Sequence, residues 1–226
     1  MNKEMYERME NFMLSMMTDS AHDGMHVYRV LHAALTIAQT LENINTDILI
    51  AACLLHDIGR EMQFKDPSLC HAAEGGKRAY NWLKENSWDD GDAVHIRDCI
   101  TTHRFRGDNP PQSIEAKILF DADKLDAAGA TGVARCLLAQ SVFNEPLYFT
   151  DTDGAVITAG RDQPSSFFQE FNFKMRNIYD CFYTDCARAW AARRRDAAMD
   201  FYGRLLEEVT QSHQGRALLK DILASN

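Results

Sequence analysis

His56 and Asp57 stand side by side at the end of an apolar run, Ile48-Leu49-Ile50-Ala51-Ala52-Cys53-Leu54-Leu55. An imidazole and a carboxylate at the tip of a core helix cost several kcal/mol to bury unless something partners them. A divalent cation is such a partner. Other ligand-type residues fall at the ends of predicted helices: His26 upstream, and Asp123 downstream within Asp121-Ala122-Asp123-Lys124-Leu125-Asp126. Two imidazole nitrogens and two carboxylate oxygens suit Mn, Fe, Zn, Co or Ni, and Mg less naturally. Adjacent helical residues point about 100° apart, so His56 and Asp57 flank one ion only if it sits beside the seam between them. Two further helices must then close the site, as in a bundle whose ligands point inward.

The elements that would position these residues are predicted from apolar spacing of three and four, which makes the chain all-α with little or no sheet. Met5, Met9, Phe12, Met13 and Met16 form one stripe of an opening helix and read as core packing. A second helix follows Asp19-Ser20 and Asp23-Gly24 and carries His26, Val30 and Ala34. Thr46 or Asp47 is expected to cap a third, central helix, with Gly59 as its stop. Helices are also predicted over His71 to Asn86, Asp89 to Thr102, and from a cap at Ser113 through Asp123. Arg104 to Gln112 reads as a loop, Asn144 to Pro164 as an irregular stretch, and the chain from Ser165 onward as helical with short interruptions.

The chain has 226 residues, of which 46% are hydrophobic, enough to bury one substantial core. Its formal net charge of -9 argues against a nucleic-acid polymer or an anionic membrane as partner, because both recruit clustered lysine and arginine. Six cysteines without a C-x-x-C pair point to a reducing, cytoplasmic compartment. The charged N-terminus does not look like a signal peptide, and no apolar run reaches the roughly 18 residues of a membrane span. Gly129-Ala130-Thr131-Gly132 lacks the lysine and the preceding strand of a phosphate loop and suggests a close helix approach. Arg193-Arg194-Arg195 reads as a solvated face, and His22, His32, His95 and His213 show no partner pattern.

Taken in order, His26, then His56-Asp57, then Asp123 resembles the HD-domain superfamily of metal-dependent phosphohydrolases. Leu54-Leu55-His56-Asp57-Ile58-Gly59 and Ile118 through Ala127 are similar to the two most characteristic segments of its bacterial members, and His22 through Val30 to their opening helix. Phe173-Lys174-Met175 and Thr184 through Met199 are more loosely similar to the C-terminal helices of one branch. The resemblance implies an HD-type helical bundle forming a single domain over 1–226, with a core of about 20–140 and C-terminal helices of about 165–226 packed on it. It implies that His26, His56, Asp57 and Asp123 are metal ligands. Some members follow the longer order His, His-Asp, His, His, Asp, and His71 and His103 fill it here. Those two histidines either hold a second ion, bridged to the first by Asp57, or contact ligands or substrate directly.

The activity so implied is hydrolysis of a small phosphorylated molecule, in particular a nucleotide, with one or two divalent ions lowering the pKa of a water that attacks phosphorus. Asp57, Lys124 and Asp126 are the catalytic candidates. Asp126 lies three residues after Asp123 and could orient a ligand, accept a proton or touch a ribose hydroxyl. Arg104 and Arg106 are candidates for pairing with a substrate phosphate. Glu61 and Glu74 could serve as general bases, and Asp121 is expected at the surface. A di-iron oxygenase, which the six-ligand order also permits, and a non-catalytic nucleotide-binding module are the competing readings.

Overall fold

The computed structural model describes residues 1–17, 24–104, 109–160 and 165–225. The expected start signals Asp19, Ser20 and Asp23, and also His22 and Arg106, lie outside the described residues. Helices dominate: α1 (Lys3–Met16), α2 (Gly24–Ala38), α3 (Thr46–Leu55), α4 (Arg60–Lys65), α5 (His71–Glu85), α6 (Asp90–Thr102), α7 (Ile114–Asp126), α8 (Gly129–Val142), α9 (Phe167–Phe173) and α10 (Asp185–Ala224), with a 3-10 turn at Met175–Asp180. The irregular stretch after α8 holds a small antiparallel ribbon, β1 (Phe149–Thr150) with β2 (Val156–Ile157), in which Phe149 faces Ile157. Among the described residues no helix is long and apolar enough to cross a membrane.

The chain divides into two compact units, Met1–Asp126 with Phe182–Ala189, and Ala127–Cys181 with Trp190–Asn226. In the first, α3 is central: Ile48, Leu49 and Ala51 through Leu55 are all buried, as its uniformly apolar sequence requires. Around it pack α2, α6 and α7, with α5 laid on α6 and α2 on α7. Met9 and Met13 of α1 are buried, and Phe12 stacks on Trp82, so the methionine stripe is core.

Three local expectations are corrected. The cap of α3 is Asn45, just before the expected Thr46 or Asp47, because its extended backbone lets the side chain accept from the Asp47 and Ile48 amides. Gly59 follows a turn after α3 but is not a left-handed stop, since its φ is -90°. It is glycine because α5 approaches so closely that a Cβ there would lie 2.2 Å from the His71 carbonyl oxygen and 2.6 Å from the Gly75 nitrogen. Asp121 is not at the surface: it is buried and accepts hydrogen bonds from the Tyr183 amide (2.8 Å), the Thr184 amide (2.7 Å) and the Thr184 hydroxyl (2.7 Å).

The second unit has its own core, in which Val133 of α8 and Phe167, Phe168 and Phe171 of α9 meet Ala198, Tyr202 and Val209 of α10. Phe171 stacks on Tyr202 with ring centroids 4.5 Å apart. The close helix approach expected at Gly129 is seen here: its φ is +69° and a Cβ would lie 2.8 Å from that of Arg194.

Candidate metal centre

Five segments of the first unit converge on one point. His26 comes from the first turn of α2, His56 and Asp57 from the turn closing α3, His71 from the start of α5, His103 from the end of α6, and Asp123 from the last turn of α7. All six are buried. The Gly59–Gly75 approach explains why His71 is there, because it presses the first turn of α5 against the turn that carries Asp57.

The ligand-type atoms fall into two groups, His26 with His56 and Asp123, and Asp57 with His71 and His103, the atoms of each lying within 4.8 Å of one another. Asp57 reaches both. Its Oδ2 is 3.5 Å from His26 Nε2 and 3.6 Å from His56 Nε2, while its Oδ1 is 3.5 Å from the Nε2 of His71 and of His103. Asp123 Oδ1 stands 3.6 Å from His26 Nε2.

The tautomers follow from what lies behind each ring. His26 Nδ1 donates to Asp126 Oδ2 (2.7 Å), His56 Nδ1 to the Cys53 carbonyl (2.8 Å), His71 Nδ1 to Gln63 Oε1 (2.6 Å) and His103 Nδ1 to the Ile100 carbonyl (2.6 Å). Those four oxygens only accept, so each Nδ1 carries the proton and each Nε2 turns a lone pair inward. The Nε2 atoms of His26 and His56 are 3.3 Å apart, as are those of His71 and His103. Lone pairs facing each other at that distance repel unless a cation lies between them. Both oxygens of Asp57 are buried without a hydrogen-bond partner, which is costly for a carboxylate. Carboxylate oxygens without an aligned hydrogen-bond donor and converging imidazole lone pairs are what a divalent ion satisfies, so this residue set fits one.

Electrostatics agree with that chemistry. Burial pushes the His56 imidazole down to about 4 against the stabilising charge of Asp57, and burial with Arg60 takes His71 down to about 2. Both are therefore neutral, as ligands must be. Burial alone would raise the Asp57 carboxyl, but Arg60, whose Nε is 3.0 Å away without hydrogen-bond alignment, and His56 outweigh it and hold it well below the carboxylate range. Asp123 is depressed in the same way, with Lys124 overcoming burial.

Around these six residues, Lys124 Nζ donates to Asp123 Oδ2 (2.8 Å) and to the His103 carbonyl (3.2 Å). Asp126 meets His26 with one oxygen and is gripped by Arg29 on both, at 2.7 and 3.0 Å. Arg104 is partly exposed, with a guanidinium nitrogen 3.5 Å from Cys70 Sγ. Glu61 pairs with Lys65 along α4, and Glu74 is partly exposed on α5. His95 does have a partner, Glu115 at 3.2 Å. Sequence reasoning missed Arg29, Gln63 and Arg60. Arg29 stands three residues after His26 on the same helix and could have been sought by that spacing, whereas nothing local marks Gln63.

Comparison with known proteins bears on this arrangement. The HD domain family model matches residues 24–128, which include all six converging residues. The chain is 30% identical over 215 residues to the YpgQ protein of Bacillus subtilis, spanning 90% of this chain and 93% of YpgQ. The crystal structure of YpgQ in complex with ADP superimposes with a TM-score of 0.68 at 28% identity, covering 90% of this chain and 97% of that one. An HD-superfamily hydrolase of Bacillus thuringiensis is similar at a TM-score of 0.67 and 27% identity, covering 91% and 97%. The 3'-5' exoribonuclease YhaM of Listeria welshimeri matches at 27% identity over 117 residues, 46% of this chain but 37% of YhaM.

Proposed function

Because the chain belongs to the HD domain family, we propose that it is a metal-dependent phosphohydrolase that holds two divalent ions across Asp57 and hydrolyses a small nucleotide. The observation that carries this reading is Asp57 itself: each of its oxygens faces a different pair of imidazole nitrogens, and neither has a hydrogen-bond donor. A carboxylate so placed suits a bridging role. In this reading His26, His56 and Asp123 complete one half of the site, and His71 and His103 the other. Ions held there would bring a water's pKa toward neutrality and offset charge developing on phosphoryl oxygens.

The chain's own groups do the rest. The four Nδ1 hydrogen bonds hold the rings in register without rearrangement. Asp126 keeps His26 in its Nδ1–H form and so acts as a positioning residue. Lys124, tethered beside Asp123, and Arg104, at the end of α6, supply positive charge that would orient a phosphate in an otherwise acidic protein, and Arg106 is assigned the same role. ADP bound to YpgQ supports a nucleotide as substrate, and the net charge of -9 favours a mononucleotide over a polymer. The six free cysteines suit a reducing, cytoplasmic setting.

The test is release of phosphate or pyrophosphate from a panel of nucleotides with Mn, Mg, Co or Ni added. Turnover should require metal and fall to background in His56→Ala and Asp57→Ala. Activity that survives either change would sink the assignment, and so would oxygen consumption by an iron-loaded protein that releases no phosphate.

A further inference from the structure

We infer that the two halves of this centre are unequal: His26, His56 and Asp123 take the first divalent ion tightly, His71 and His103 take the second weakly, and Asp126 with Arg29 sets the difference. The inference rests on the two-ion reading above.

The asymmetry lies behind the rings. Of the four inward-facing imidazoles, three are pinned at Nδ1 by neutral oxygens, the carbonyls of Cys53 and Ile100 and the amide of Gln63. His26 alone among them is pinned by a carboxylate, that of Asp126 at 2.7 Å. A carboxylate on Nδ1–H makes the opposite nitrogen a stronger donor to a cation, and a neutral carbonyl does so less. Arg29 grips Asp126 through Nε on Oδ1 (2.7 Å) and a terminal nitrogen on Oδ2 (3.0 Å), a two-pronged hold that fixes the plane of the carboxylate and keeps Oδ2 on His26.

Charge runs the same way. The first half has a carboxylate of its own, Asp123, whose Oδ2 takes Lys124 while Oδ1 remains on the His26 side. Lys124 and Arg29 are thus each offset by an acid. Arg60 stands 3.0 Å from Oδ2, the Asp57 oxygen turned toward His26 and His56; the second half has only its share of Asp57, and it has Arg104 next to Cys70, the residue preceding His71. A dication bound there meets less negative charge.

Titration of metal-free protein with Mn2+, with the free aquo ion counted by electron paramagnetic resonance, tests this directly. Two phases of one ion each are expected, at least tenfold apart in affinity. Asp126→Asn should weaken the tight phase by roughly 10- to 100-fold and leave the weak one in place. Arg29→Gln should act in the same direction by less, with Arg29→Lys partly restoring affinity. His71→Gln should remove the weak phase and leave the tight one. Arg29 is partly exposed, so its variants should fold, and circular-dichroism melting in chelator checks each protein. Two ions of equal affinity, an Asp126→Asn effect on the weak phase alone, or loss of the tight phase in His71→Gln would overturn the inference while leaving the two-ion reading standing. Fewer than two ions at saturating metal would overturn both.

Discussion

His56 and His71 are buried as neutral imidazoles at about 4 and about 2, below the ordinary value of 6.5, and this sets how the metal-free protein responds to acid. As pH falls below 6.5, unfolded chains take up these protons and folded ones do not, so acid favours unfolding. Each such group contributes a slope of about 1.4 kcal/mol per pH unit once the pH is well below 6.5. For His56 the slope ends near pH 4. The depressed Asp57 and Asp123 carboxyls act in the same direction but lower on the scale: their stabilisation is full above ordinary carboxylate pKa values of about 4 and is lost only below them. Urea midpoints measured in chelator should therefore stay nearly level from pH 7.5 to about 6.5 and fall from there to pH 5, and a profile flat down to pH 5 would contradict neutral burial. Saturating Mn2+ should raise the melting temperature at pH 7.5, because it binds the folded chain alone.

At the scale of elements, the site depends on how closely α5 can approach the turn after α3. Gly59→Ala would place a methyl carbon 2.2 Å from the His71 carbonyl oxygen, forcing the two segments apart. A destabilisation of about 1–3 kcal/mol is expected, together with loss of the ion proposed at His71 and His103, read by melting and by metal stoichiometry. Asp121 joins α7 to residues 182–184 through three accepted hydrogen bonds. Asp121→Ala leaves buried donors unpaired and should cost about 2–4 kcal/mol in denaturant unfolding. Helix identity at this scale was legible from apolar periodicity, since a helix face is written in residues three and four apart. Caps and packing were less so. Asn45, capping the amides two and three residues on, displaced the expected Thr46 or Asp47; Gly59 proved to serve a close approach and Asp121 turned inward, and these two depend on a neighbour remote in sequence.

For the whole molecule, the chain holds two cores rather than one list of apolar residues. Phe171, stacked on Tyr202, belongs to the second unit, while all six converging residues belong to the first. Phe171→Ala should cost about 3–5 kcal/mol in thermal unfolding and leave Mn2+ affinity unchanged in the protein that remains folded. By itself the sequence determined the helical class and the candidates His26, His56, Asp57 and Asp123 at predicted helix ends, because periodicity and residue chemistry are local properties, and the resemblance to the HD-domain superfamily added His71 and His103 to the set. Only the tertiary structure decided that Asp57 turns one oxygen to each imidazole pair, that Asp126 and Arg29 stand behind His26, and that neutral acceptors stand behind the other three rings. The acceptors behind His56 and His103 lie three residues back in the same helix, but the contact of His26 with Asp126 joins residues 100 positions apart, and its geometry exists only once the helices that carry them have packed.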